Sequence, residues 1–146
     1  MKSEPSVSSL KRKAREVVVK VLYEMEMGDL KRDEAKERIG RKCSRGEIRE
    51  FALSLFSHAV DNMDTIDRLL ASVVENWHIS RMAAIDRNIL RMGTAEILFM
   101  DDVPEKVTIN EAIEIAKKFS TADSGRFVNG ILDRVARTKS DIRNNI

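Results

Sequence analysis

Ser80-Arg-Met-Ala-Ala-Ile-Asp-Arg-Asn-Ile-Leu-Arg-Met-Gly-Thr-Ala-Glu-Ile-Leu-Phe-Met100 is the stretch on which the fold turns. Met82, Ile85, Ile89, Met92, Gly93 and Ile97 recur at helical spacing. Ala84, Leu90, Ala95, Leu98 and Phe99 widen that stripe until little of the circumference is polar. A helix apolar most of the way round has to be enclosed by other elements. In a chain of 146 residues it becomes the axis of a single core. Ser80 is a good N-cap, because its hydroxyl can take a first-turn N–H that lacks an intrahelical partner. The polar remainder is Asp86, Arg87, Asn88, Arg91, Thr94 and Glu96. At about 100° per residue, Arg87, Arg91 and Thr94 share one narrow face, with Asp86 about a quarter turn aside. That face reads either as a solvated strip on a buried helix or as a polar seam that a partner meets.

Composition agrees with helices. Two prolines, six glycines, few aromatics and 34% charged residues leave little for sheet, and no stretch alternates long enough to read as a strand. The length predicts one domain over residues 1–146. No apolar run reaches 18 residues, and the polar, then basic, start has no signal-peptide pattern, so a soluble cytoplasmic protein with no membrane partner is expected. Cys43 is the lone cysteine, which rules out a disulfide framework within the chain. The net charge of +2 is unevenly placed: Lys2, Lys11, Arg12, Lys13, Arg15 and Lys20 face only Glu4 and Glu16 in the first twenty residues. The rest of the chain is therefore slightly acidic.

Before the central stretch, a first helix is predicted from Ser8 or Ser9, with Leu10, Ala14, Val17, Val18, Val21, Leu22 and Met25 inward and Gly28 as its stop. Arg12, Val19 and Tyr23 project opposite that stripe, with Lys13 and Arg15 on its shoulders. Cations that hold phosphates beside a ring that takes an unstacked base would suit single-stranded nucleic acid. In the alternative, Tyr23 packs under the next segment and the cations merely solubilise. A weaker helix is expected over Lys31–Lys42, and Ser44-Arg-Gly-Glu47 has capping-box spacing. It opens about thirty residues of helical pattern with a plausible break at Asp61–Asp64, so the stretch to Asn76 is one helix or two. Trp77 reads as an apolar plug at the junction.

Beyond the central stretch, Asp101-Asp102-Val103-Pro104 ends the helix. Thr108-Ile-Asn-Glu111 reads as a second capping box, and Thr121-Ala-Asp-Ser124 as the cap of a last helix. Gly130 in mid-helix points to a close neighbour, since there it costs about 1 kcal/mol relative to Ala. Residues 1–8 and 138–146 are expected to be flexible.

The chain carries little that could do chemistry. His58 and His78 are the only histidines, too few with Cys43 for a zinc site. A Cys43–His58 nucleophile pair has no local signature, and Gly125-Arg-Phe-Val-Asn-Gly130 is not a phosphate loop. Neither an enzyme nor a cofactor is expected.

Several motifs together resemble one family. Trp77-x3-Arg81, Ile85-Asp-Arg-Asn-Ile-Leu-Arg91 and Ala95-Glu-Ile-Leu98 are followed by Val103-Pro-x2-Val-x-Ile-Asn-Glu-Ala-Ile-Glu-Ile-Ala-Lys117 and Phe127-Val-Asn-Gly-Ile-Leu-Asp133. With Lys11-Arg-Lys-Ala-Arg15 and Leu22-Tyr23 they resemble NusB, the bacterial transcription antitermination factor family, over about residues 10–136. The most specific part is Pro104 to Asp133.

That resemblance implies an all-α fold of two small packed helical bundles, about seven helices in total. It implies binding of boxA-type single-stranded leader RNA together with NusE, a small-subunit ribosomal protein. The pair would load onto the RNA polymerase antitermination complex and suppress termination, notably in ribosomal RNA operons. The implied RNA-binding residues are Lys11, Arg12, Lys13, Arg15 and Tyr23, joined by Asp123 and Phe127 at the start of the last helix. The implied NusE side is Asp86 with Arg87 and Arg91. Lysines mixed into the basic run weigh against bidentate arginine contacts. Two alternatives stay open: an RNA-recognition module of a ribosomal RNA methyltransferase, and a self-associating helical protein. A homodimer is open as well.

Overall fold

The computed structural model describes residues 6–74 and 81–144, the last three by backbone alone. Seven helices and no strand lie among the described residues: α1 (Val7–Glu26), α2 (Arg32–Lys42), α3 (Gly46–Asp61), α4 (Met63–Val73), α5 (Ala84–Phe99), α6 (Glu105–Phe119) and α7 (Ala122–Asn144). The all-α expectation holds. Helices α1, α2 and α3 pack on one another, as do α5, α6 and α7, while α4 lies against α5 and α7. Helices α1 and α3 also pack on α5, which makes α5 the axis on which the two groups meet. Ile89, Leu90 and Met92 of α5 are fully buried with Val18, Phe56, Leu70, Ile115 and Leu132 from five other helices.

Local chemistry sets the element ends, and it moves several of them from their predicted places. The hydroxyl of Ser6, not that of Ser8 or Ser9, caps α1 by accepting the Ser9 N–H at 3.1 Å. Gly28 ends that helix as predicted. Its φ of +87° is open to glycine at little cost, and the N–H groups of Gly28 and Asp29 close on the carbonyls of Met25 and Glu24. Arg45, not Ser44, takes the N-cap position of α3, with no side-chain cap bond. The long pattern resolves into two helices at Asn62, whose side-chain amide donates to the His58 carbonyl at 2.9 Å and competes with the backbone ladder.

Ser80, like Trp77, lies outside the described residues. Helix α5 begins only at Ala84, and the Arg87 guanidinium secures the preceding turn by donating to the Met82 carbonyl at 3.1 Å. Helix α6 starts a turn earlier than predicted, directly after Pro104, so Thr108 is a buried interior residue and Glu111 is free to pair elsewhere. Thr121 caps α7 as expected, accepting from the Ser124 N–H at 3.0 Å.

Two readings near the C-terminus are corrected. From Thr138 to Asn144 the chain is not a frayed tail, because α7 runs on to Asn144, while residues 1–5 and 145–146 lie outside the described residues. Lys139 pins it, its ammonium donating to the Ile97 carbonyl at 2.5 Å and to Asp101 at 2.9 Å. At the other end Val7 and Ser8 belong to α1. Gly130 faces open space, and the close approach belongs to Gly93 instead, where an added Cβ would sit 2.8 Å from Leu132 Cδ1.

Candidate nucleic-acid interface

Helix α1 carries the basic run, and its two sides have different fates. Ala14, Val17, Val18, Val21 and Leu22 of the predicted inner stripe are buried, but Val19, expected to project outward, is buried too, so α1 buries a second stripe beside the first. Arg15 falls in that second stripe, with Val18, Val19 and Leu22 at three, four and seven residues on. It is therefore 2% exposed and faces Glu96 of α5, which is fully buried. The guanidinium donates to both Glu96 oxygens, at 2.5 and 2.8 Å, and lies 5.0 Å from the Phe51 ring. Arg15 is withdrawn from the solvent-facing set for this reason. A buried carboxylate demands a counter-charge, and Arg15 supplies it. The signal was a lone acid in the apolar second half of the central stretch.

The remaining cations of the run face outward. Lys13 is exposed and Lys11 is half-buried, its ammonium 5.1 Å from the centre of the Phe51 ring. Arg12 is half-exposed and held by Glu111 of α6, with donor distances of 2.5 and 3.1 Å. That pair fixes the direction of the guanidinium and spends part of its charge. Tyr23 is 38% exposed, so its ring is available to a ligand. It borders an open hollow of about 470 Å³ with Lys20, Ile85 and Phe119. The Lys20 and Lys118 ammonium groups lie 4.8 and 5.3 Å from the centre of the Phe119 ring.

A second hollow, about 310 Å³, is lined by Met82, Ala83, Asp86, Asp123, Ser124 and Phe127. It unites residues that the sequence reading placed on two surfaces, Asp86 on one and Asp123 with Phe127 on the other. Asp86 accepts from Ser124 Oγ at 3.1 Å through one oxygen, while the other is buried without a hydrogen bond. Asp123 is exposed and 3.6 Å from Arg126. Phe127 is half-buried, its ring packed against the core and its edge on the hollow.

Arg87 and Arg91 do not form a solvated strip. Both are largely buried and internally paired, so a partner cannot reach them without breaking those pairs. Arg87 makes a two-pronged bond to Glu26 of α1, both distances 2.7 Å. Arg91 binds Asp67 of α4 in the same way, at 2.8 and 2.9 Å, and also reaches Glu26 at 2.6 Å. Thr94 on the same face is fully buried. The seam ties α1 and α4 to α5. Hydrogen bonds from Arg87 first, then from Arg91, hold the Glu26 carboxyl below its usual range.

The other candidate chemistry is occupied or inert. Cys43 is buried, and burial pushes its thiol up, away from the reactive thiolate. His58 stacks on Phe99 with ring centres 5.5 Å apart. Among the described residues no three His, Cys, Asp or Glu side chains gather as a metal site, and no helix is long and apolar enough to cross a membrane. Lys20, Lys118 and Phe119 were not singled out in the sequence. Lys20 alone had a legible signal, since it recurs seven residues after Lys13 on the same helix face.

Several known proteins are similar to this chain in sequence and in fold. The model of the NusB family matches residues 12–137. The transcription antitermination protein NusB of Thermodesulfovibrio yellowstonii is 41% identical over 138 residues, which covers 87% of this chain and 91% of that protein. A solved structure of T. maritima NusB is 38% identical with a TM-score of 0.77, covering 94% of this chain and 93% of that one. A crystal structure of the antitermination factors NusB and NusE in complex with double-stranded RNA contains a chain of the same fold. Its TM-score is 0.79 at 24% identity, over 88% of this chain and 97% of that one.

Proposed function

This chain belongs to the NusB family, and from that premise we propose that it binds boxA-type leader RNA together with NusE. In this reading it joins the RNA polymerase antitermination complex in the cytoplasm and suppresses termination, notably in ribosomal RNA operons. It acts by binding and carries out no catalysis. One domain does this work, supported by a single hydrophobic core that draws on all seven described helices and the turns between them.

The observation that carries the reading is the outer part of α1, where Arg12, Lys13 and the Tyr23 ring are exposed and Lys11 is half-buried. Three cations along a helix can neutralise phosphates of a single strand, and the ring offers a face on which a base stacks. Asp123 and the edge of Phe127 extend this surface onto α7. Asp86 is the residue left for the NusE side, since Arg87 and Arg91 are committed within the molecule.

Binding of a boxA-type and a scrambled RNA oligomer, each with and without NusE, tests the proposal. Three neutralised phosphates give a salt slope of about −2.1 for single-stranded RNA, so fourfold more salt weakens binding roughly eighteen-fold. Equal affinity for both oligomers in the presence of NusE, or no binding at low salt, refutes it.

A further inference from the structure

The Tyr23 hollow does not end at Tyr23. Lys20 and Glu24 form part of its rim and are also part of the rim of a groove of about 440 Å³ between α1 and α2. At its other end the Tyr23 hollow shares Ala83 with the hollow of Asp123 and Phe127. The three depressions thus adjoin one another through shared lining residues as a track, cationic at the α1–α2 end and lined by aromatic rings in the other two.

The α1–α2 groove is walled by Lys13, Lys20, Arg38 and Lys42, with two acids, Glu16 and Glu24. Both acids are already answered. Glu16 accepts from Lys118 at 3.2 Å, and Glu24 pairs with Arg38 across the groove. Lys13, Lys20 and Lys42 make no ion pair among the described residues, and Val17 and Val21 give the groove an apolar floor. Lys13 and Lys20 stand about 10 Å apart along α1, at the helical rise. Lysines without a carboxylate partner along a concave surface are counter-charges for a row of phosphates.

We infer that the α1–α2 groove is a phosphate-binding extension of the RNA site, in which Lys20 and Lys42 hold the backbone of the strand whose base stacks at Tyr23. The inference rests on the RNA-binding reading and deepens it. It assigns contact to α2, and it gives the strand a direction across the molecule: from Lys42, past Lys20 and Tyr23, to Phe127. The groove has no donor–acceptor pattern suited to reading bases, so its contribution is independent of sequence.

The test uses the full chain with a boxA-type oligomer long enough to span the track, in the presence of NusE, over a salt series. Two lysines that each release a phosphate counterion add about −1.4 to the slope of about −2.1 from the basic run, for a wild-type slope of about −3.5. The variant K20Q/K42Q should lose that share, binding about 25-fold more weakly at 0.1 M salt and equally at 1 M. Its preference for boxA over a scrambled oligomer should stay the same. K106Q, which removes a lysine from a different hollow, should leave the slope unchanged. An unaltered slope in K20Q/K42Q, with wild-type binding intact and the melting temperature preserved, overturns the groove and spares the RNA-binding reading. Absence of wild-type binding overturns both.

Discussion

Helices α1 and α5 carry the same kinds of charged residue and use them in opposite ways. On α5 the polar groups are spent inside the molecule: Glu96 on Arg15, Arg87 on Glu26, Arg91 on Asp67 and Glu26. On the outer side of α1, Lys13 and Lys20 have no carboxylate partner among the described residues, and Tyr23 is exposed. The difference lies in what faces each helix. Enclosed by other helices, α5 meets an opposite charge at Arg87, Arg91 and Glu96, though not at Asp86, while α1 at the rim has a side where only solvent waits. Charge alone therefore does not mark a binding surface; unanswered charge does.

The contrast breaks most visibly at the buried pair. Glu96→Ala leaves Arg15 charged and unpaired in the core and should cost about 3–5 kcal/mol of stability, read by denaturant unfolding. Replacing both partners, as Arg15→Met with Glu96→Leu, should recover most of that loss. If the single variant costs under 1 kcal/mol, Arg15 is not committed inward.

On the rim the signature is reversed. Tyr23→Ala should weaken RNA binding by about 1–3 kcal/mol while moving the melting temperature little. A fall in melting temperature with RNA affinity unchanged would make the ring a packing residue.

Two glycines give the same contrast without charge. Gly93→Ala presses a methyl into Leu132, itself fully buried, and should cost about 1–3 kcal/mol. Gly130→Ala meets nothing within 4 Å and should stabilise α7 by up to about 1 kcal/mol. Thermal melting of the two variants should shift in opposite directions.

The smallest effect is expected in acid. Glu26 titrates below its ordinary 4.5 because Arg87 and Arg91 hydrogen-bond its charged form. Its contribution is complete above that value and fades as pH falls through the lowered pKa of the folded state. Glu26→Gln should therefore be less stable than the wild type at neutral pH, with the gap closing in acid. A gap that stays constant from pH 7 to pH 3 would deny the seam its role.

Much of the fold was legible, because the periodicities of α1, α3, α4, α5 and α7 each name a buried face. Capping was read less well. Ser44 and Thr108 both had capping-box spacing, yet α3 and α6 begin elsewhere, at positions with no side-chain cap bond. A hydroxyl three residues before a glutamate is a local signal, and packing of the whole helix outweighs it. The basic run was visible, but not which of its members turns inward. Arg15 differs from Lys13 only by its place around the helix, and that place matters because α5 lies against it. The α1–α2 groove was beyond reach for the same reason, since Lys20 and Lys42 become neighbours only once two helices are docked.

The Arg15–Glu96 bond also bears on how the neighbouring basic residues of α1 meet their ligand. A helix bolted to the middle of the molecule at that same turn resists sliding or unwinding when something takes hold of the residues beside the bolt. Lys11, Arg12 and Lys13 therefore wait at a fixed pitch, and little freedom of the polypeptide is surrendered on association. Whatever folding up occurs in the complex then falls to the RNA, which must conform to a ruler already set.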